Sequence, residues 1–264
     1  MRHTVGMAPS RSAARAGLLI ASAFLVGSLA ACGSEDASTS DGGSRELTVL
    51  AAASLSDVFA DLAAEFEREH EGVTVSFSSG SSTDLAEQVA DGAPGDILAT
   101  ADETSMQLAA DAGVTGEIIA FATNVLILVT PPDNPGAVES LDDLDGRTWV
   151  RCTDEAPCGR VAAAVLAAND ITAEPSSLEE DVRATLDKVI SAEADAGLVY
   201  ATDAVAAGDQ VRALPIPGAE SELTSYFMTV LEQSPDSDLA QEWVDHVTSE
   251  EGLAILEQAG FGAP

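Results

Sequence analysis

Short apolar runs alternate along this chain with stretches whose apolar residues return every three or four positions. The run at residues 48–53 reads as a buried strand that breaks at Ser54. An amphipathic helix follows, with Val58, Phe59, Leu62, Ala63 and Phe66 on one face. Ser54 falls at an N-cap position, and Asp57 three residues on completes a Ser-x-x-Asp start signal. The same grammar repeats at once: Val73, Val75 and Phe77 alternate like a half-buried strand, residues 80–83 turn the chain, and Leu85 and Val89 open a helix. Further strands are predicted at 96–100, 125–129, 147–151, 196–200, 211–216 and 223–231. Helices are expected after residue 102, at 159–168, 179–190 and 201–206, and around 240–247 and 252–258. Strands that alternate with helices specify an open α/β sheet, and the number of strands suits two such lobes.

Both strand–helix corners, at Ser54 and at 80–83, are lined by hydroxyls and contain no Lys or Arg. Helix N-termini present unpaired N–H groups and attract anions. Two corners of this kind predict a pocket in which neutral donors and helix dipoles hold a dehydrated oxyanion.

The first 31 residues form a leader. Arg2, Arg11 and Arg15 make a basic start, and residues 18–29 are apolar but too short to span a membrane comfortably. The tetrapeptide Leu29-Ala30-Ala31-Cys32 resembles the lipobox of bacterial lipoproteins, which implies cleavage before Cys32 and lipidation of it. Residues 33–45 are polar and read as a tether reaching about 20 Å. The resulting expectation is a protein held at the outer face of the cell membrane by lipid alone, with the globular part beginning near residue 46.

Loss of the leader leaves eight basic residues against 45 acidic ones, a balance near −37. That sign excludes nucleic acid as a partner. Two cysteines remain, Cys152 and Cys158, and in an exported chain so close a pair predicts a disulfide. Zinc is the rival, but no His lies near.

The segments Ala51-Ala-Ala-Ser-Leu55, Gly80-Ser-Ser-Thr83, Gly92-Ala-Pro-Gly-Asp96 with Ala101-Asp102, Glu180-Asp-Val-Arg183 and Leu198-Val-Tyr-Ala-Thr-Asp-Ala204 occur in the order seen in molybdate-binding proteins. These are the extracytoplasmic substrate-binding components of molybdate ABC transporters, and the likeness runs across residues 46–264. The resemblance implies a type II periplasmic binding protein: two α/β lobes closing on a ligand between them. Residues 46–122 with 214–264 would form lobe 1, and 123–213 lobe 2. It also implies a ligand set. Ser54 and Ser82 would each give a hydroxyl and a backbone N–H, Cys158 and Val182 backbone N–H groups, and Tyr200 its phenol. Cys158 stands where the family usually has Ala, which matters little if only its N–H is used. The implied ligand is molybdate or tungstate, the implied partner a transporter permease, with no cofactor, no enzymatic activity and a monomeric state.

Sulfate and phosphate are the nearest alternatives, although phosphate keeps a proton near neutral pH and wants an acceptor. An exported serine hydrolase using Ser54 or Ser82 lacks a Gly-x-Ser-x-Gly elbow. Of its three histidines, His3 leaves with the leader, and neither His70 nor His246 is placed to serve as base. A lipoprotein of purely adhesive or structural role is the third reading.

Overall fold

A computed structural model describes residues 44–264. The leader, the lipidation expected at Cys32 and nearly all of the tether lie outside the described residues.

The chain opens with β1 (Arg45–Ala52), a 3-10 turn (Ala53–Leu55) and α1 (Ser56–Glu69). Next come β2 (Val73–Gly80), α2 (Ser82–Ala90), β3 (Ile97–Thr100), α3 (Glu103–Asp111) and β4 (Thr115–Asn124). A second group follows: β5 (Leu126–Thr130), β6 (Trp149–Cys152), α4 (Pro157–Ala168), β7 (Ser177–Glu179), α5 (Val182–Ile190), β8 (Ala196–Tyr200), α6 (Ala201–Ala207) and β9 (Arg212–Pro215). The chain closes with β10 (Thr224–Leu231), α7 (Ser237–Thr248) and α8 (Glu250–Gln258).

These strands form two five-stranded sheets, in the orders β2-β1-β3-β10-β4 and β7-β6-β8-β5-β9. Each sheet has three parallel strands followed by an antiparallel pair. The two lobes therefore repeat one architecture although no sequence period announces it. The strand between the parallel and the antiparallel part is in each case the one that arrives from the other lobe: β10 in the first, β5 in the second.

The apolar patterns fill separate cores. In the first lobe α1 buries Val58, Phe59, Leu62, Ala63 and Phe66. Trp243 of α7 meets Phe59 and Phe66 edge-on, with ring centroids 5.7 and 5.4 Å away. Each such fully buried side chain contributes about 1.5–3 kcal/mol of apolar transfer. In the second lobe Leu126, Leu128 and Val129 pack with Trp149, Leu186, Val189 and Leu198.

The chain crosses between the lobes at Asn124–Leu126 and again between β9 and β10. The boundary expected at 213/214 cuts through β9. Residues 212–215 pair with β5, so they belong to the second lobe and the return crossing comes later. Two strands are additional to those expected. β4 is an edge strand whose outer residues stay exposed, and β7 is three residues long and mostly polar, so neither carries a clear alternating pattern. The helix expected from residue 179 begins only at Val182, because β7 and the cap Asp181 take up the residues before it.

Candidate functional site

Between the lobes lies a small, narrow cavity. Ser54, Ser82, Cys158, Val182 and Tyr200 all border it, with Ala53, Ser81, Ala101 and Asp181 beside them. No Lys or Arg is among its lining residues.

Four helical N-termini converge here, two from each lobe, and each leaves backbone N–H groups without an intrahelical acceptor. Ser54 is in the 3-10 turn ahead of α1, Ser82 is the first residue of α2, Cys158 follows Pro157 at the start of α4, and Val182 opens α5. Pro157 lacks an N–H and is preset for a first helical position, so Cys158 supplies the first N–H of its helix. Asp181 brings the cavity its only carboxylate, and that group is engaged as an N-cap, accepting from Ala184 N–H at 2.9 Å.

The Cys158 corner is held from behind. Cys152 and Cys158 form a disulfide across a seven-residue loop. Gly159 lies so close to the Thr153 carbonyl that a Cβ there would sit 1.6 Å from the oxygen, so no other residue fits without moving the loop.

The hydroxyls have distinct surroundings. Ser54 does not cap α1: no side-chain cap forms there, and its Oγ lies 2.8 Å from the Tyr226 hydroxyl of β10. Asp57 does lie in the first turn of α1, as the start signal expects, and its carboxylate accepts from Arg183. Ser82 Oγ accepts from Ala101 N–H at 2.9 Å, which leaves its proton for another acceptor. The Tyr200 hydroxyl is fully buried and has no hydrogen-bond partner among the described residues; the Thr224 hydroxyl is nearby but makes no bond of acceptable geometry. Burial drives the Tyr200 phenol well above its ordinary pKa; the neighbouring Thr224 hydroxyl opposes this most, while the carboxylates of Asp102 and Asp203 add smaller upward contributions and Arg160 a smaller downward one. Tyr226 is raised too, mainly by burial. Both phenols keep their protons at any physiological pH.

Two arginines of the second lobe reach acidic residues of the first. Arg160 donates through Nε and Nη2 to Asp102 Oδ2, at 2.8 and 2.6 Å, and to the Thr83 and Ser105 hydroxyls. Arg183 Nη2 lies 2.5 Å from Asp57 Oδ2, while its Nη1 is 3.8 Å from the buried Asp203. Neither contact was expected from the sequence, where Asp102 and Arg183 were no more than members of motifs. Asp203 Oδ2 accepts from Tyr200 N–H, and burial raises its pKa to about 7 despite the opposing pull of Arg183.

Nothing here resembles a hydrolytic centre. His70 Nδ1 is bonded to the Phe66 carbonyl and His246 Nε2 to that of Leu62, both within the first lobe's helical layer. No group of three or more His, Cys, Asp or Glu arranged for a metal occurs among the described residues.

Two lobes of matching topology, with helix N-termini aimed at a cavity between them, define a solute-binding protein. The comparisons agree: residues 47–262 match the family of bacterial extracellular solute-binding proteins, and the chain belongs to it. A relative 36% identical over 252 residues, spanning 93% of this chain and 97% of its own length, is the molybdate-binding protein ModA of Mycobacterium tuberculosis. Among solved structures, the periplasmic molybdate-binding protein of Azotobacter vinelandii superposes with a TM-score of 0.72 at 22% identity, over 83% of this chain and 99% of that one. The sulfate-binding protein SubI of M. tuberculosis gives the same TM-score at 19% identity, over 82% and 86%. The members of this family are solute-binding proteins, not enzymes.

Proposed function

We propose that this chain captures molybdate, and tungstate as its near twin in size and charge, outside the cell and hands it to the permease of an ABC transporter. Ser54 and Ser82 would each supply a hydroxyl and a backbone N–H, Cys158 and Val182 a backbone N–H, and Tyr200 its phenol. Cys32 would carry the lipid that tethers a monomeric protein to the outer face of the membrane. The lobes would be residues 46–124 with 224–264, and 125–215.

The observation that carries this reading is the Tyr200 hydroxyl, protonated, buried and unpaired at the wall of the cavity. Leaving such a group unsatisfied costs about 1–3 kcal/mol, and an anionic oxygen in the cavity would satisfy it. A fully deprotonated oxyanion offers only acceptors, and the lining offers donors. Hydrogen bonds to a charged group contribute about 1.5–3 kcal/mol each, so a handful of them can offset the loss of hydration without an arginine in the cage. The 36% identity to a relative named as molybdate-binding supports molybdate within that chemical class.

A ligand that binds only the folded state raises the melting temperature. The deciding experiment is a melting scan of the lipid-free chain against molybdate, tungstate, sulfate and phosphate. Shifts with the first two support the reading. A shift with sulfate alone moves the assignment to sulfate, and no shift with any of the four rejects it.

A further inference from the structure

Ser54 is connected to the crossing between the lobes by a buried chain of hydrogen bonds. Asn124 sits at the crossing itself, as the last residue of β4, and Tyr226 lies near the start of β10, just after the return crossing. The orientation of the Asn124 amide is set by its surroundings: Val125 N–H donates to Asn124 Oδ1 at 2.9 Å, so Nδ2 must be the group facing away. Nδ2 then donates to Tyr226 Oη at 3.2 Å and to Thr202 Oγ1 of the other lobe at 2.8 Å. A flipped amide would set Nδ2 against the Val125 N–H, donor against donor.

The remaining bond, between Tyr226 Oη and Ser54 Oγ, has a direction fixed by proton count. Tyr226 is fully buried, and its hydroxyl has Asn124 and Ser54 as its partners. Asn124 Nδ2 can only donate. If Ser54 donated as well, the phenol proton would be left buried with no acceptor, at a cost that buried polar groups rarely bear. The order is therefore Asn124 to Tyr226 to Ser54, and the Ser54 proton is not spent on the protein.

We propose that Asn124 and Tyr226, neither of which borders the cavity, are positioning residues that make the Ser54 hydroxyl a donor to the bound oxyanion and bias the site against oxyanions that carry a proton. This rests on the oxyanion reading above. Ser82 reaches the same condition by a shorter route, with its oxygen already accepting from Ala101 N–H. A chain of aligned hydrogen bonds also polarises its last member, so Ser54 gains donor strength from the two behind it.

The test compares molybdate with hydrogen phosphate at pH 8.5, where both are dianions and differ in the proton that phosphate retains. Calorimetric titration of the wild type, Tyr226→Phe and Asn124→Asp is accompanied by melting curves. Tyr226→Phe conserves volume and should weaken molybdate binding roughly five- to tenfold, by removing the donor behind Ser54. Asn124→Asp replaces the leading donor by an acceptor and reverses the chain: Tyr226 donates to the new carboxylate, Ser54 donates to Tyr226, and only Ser54 lone pairs face the cavity. The molybdate-to-phosphate affinity ratio should then fall by roughly tenfold or more, whereas the added negative charge alone would weaken both dianions alike. Unchanged molybdate affinity in a folded Tyr226→Phe protein overturns the proposal, as does an Asn124→Asp protein whose ratio stays put. If Asn124→Asp does not fold, or phosphate is not bound, Tyr226→Phe decides. A wild type that binds neither anion defeats the oxyanion reading itself, which separates the two failures.

Discussion

Replacing Tyr200 by Phe removes one oxygen from the cavity wall and leaves the rest of the residue's work intact. The ring keeps its edge contact with Tyr226, 6.3 Å away between centroids, and the backbone N–H keeps its bond to Asp203. Two effects of opposite sign follow. In the liganded protein the change deletes one hydrogen bond to a dianion, about 1.5–3 kcal/mol, which is roughly a 10- to 150-fold rise in Kd. In the ligand-free, closed protein it removes a buried hydroxyl that has no partner, whose cost is about 1–3 kcal/mol. The variant should therefore bind molybdate more weakly while melting no lower without ligand than the wild type. For a chain of this size each kcal/mol gained would raise the melting temperature by about 2–4 °C. Calorimetric titration and a ligand-free melting curve read the two effects separately. An unchanged Kd would refute the role of the phenol, and a lower ligand-free melting temperature would show that the hydroxyl is satisfied after all.

Reduction of Cys152–Cys158, or its replacement by two serines, should lower stability by about 2–3 kcal/mol on the chain-entropy estimate for so short a loop. It should also weaken molybdate binding, because the loop that presents the Cys158 N–H loosens; equal affinities before and after reduction would contradict this. Arg160→Gln should raise the molybdate off-rate several-fold with little change in on-rate, since a partly exposed ion pair between the lobes contributes about 0.5–1 kcal/mol to closure. Stopped-flow fluorescence would show it, and an altered on-rate with a constant off-rate would count against a clasp. Asp203 gives a pH test: its folded pKa of about 7 lies above the ordinary value of 3.8, so its contribution is full at low pH and is lost as pH rises through 7. The stability of the wild type relative to Asp203→Asn should therefore improve from pH 8 to pH 5.5, by at most about 2 kcal/mol for one proton. Urea unfolding at the two pH values measures it, and parallel curves would place the titration elsewhere.

Much of this organisation could be read in the sequence, because it is written locally. The apolar run into Ser54, the alternation at Val73, Val75 and Phe77, and the periodic faces of α1 and α5 each follow from neighbours within a few residues. The five residues carried over from the family resemblance also meet at one cavity. What could not be read depends on distant partners. Ser54 has the spacing of a helix cap, yet its hydroxyl bonds Tyr226, 172 residues on. Arg160 and Arg183 look like solvated helix charges until the lobes face one another. β4 and β7 are not legible because an edge strand and a three-residue strand need little apolar patterning, and the place of β9 is decided by its pairing with β5, not by composition.

The insertion of β10 between β3 and β4 has a consequence for how the polypeptide matures. Every strand of the second lobe lies within one continuous stretch, residues 126–215, which can condense without waiting for the rest of the chain. The first lobe must wait. Its β4 finds no partner in the sheet until residues 224–231 arrive, a hundred or more positions later, and such distant pairings are slow to form. The opening third of the molecule thus stays unfinished until the last strand arrives and joins β3 to β4.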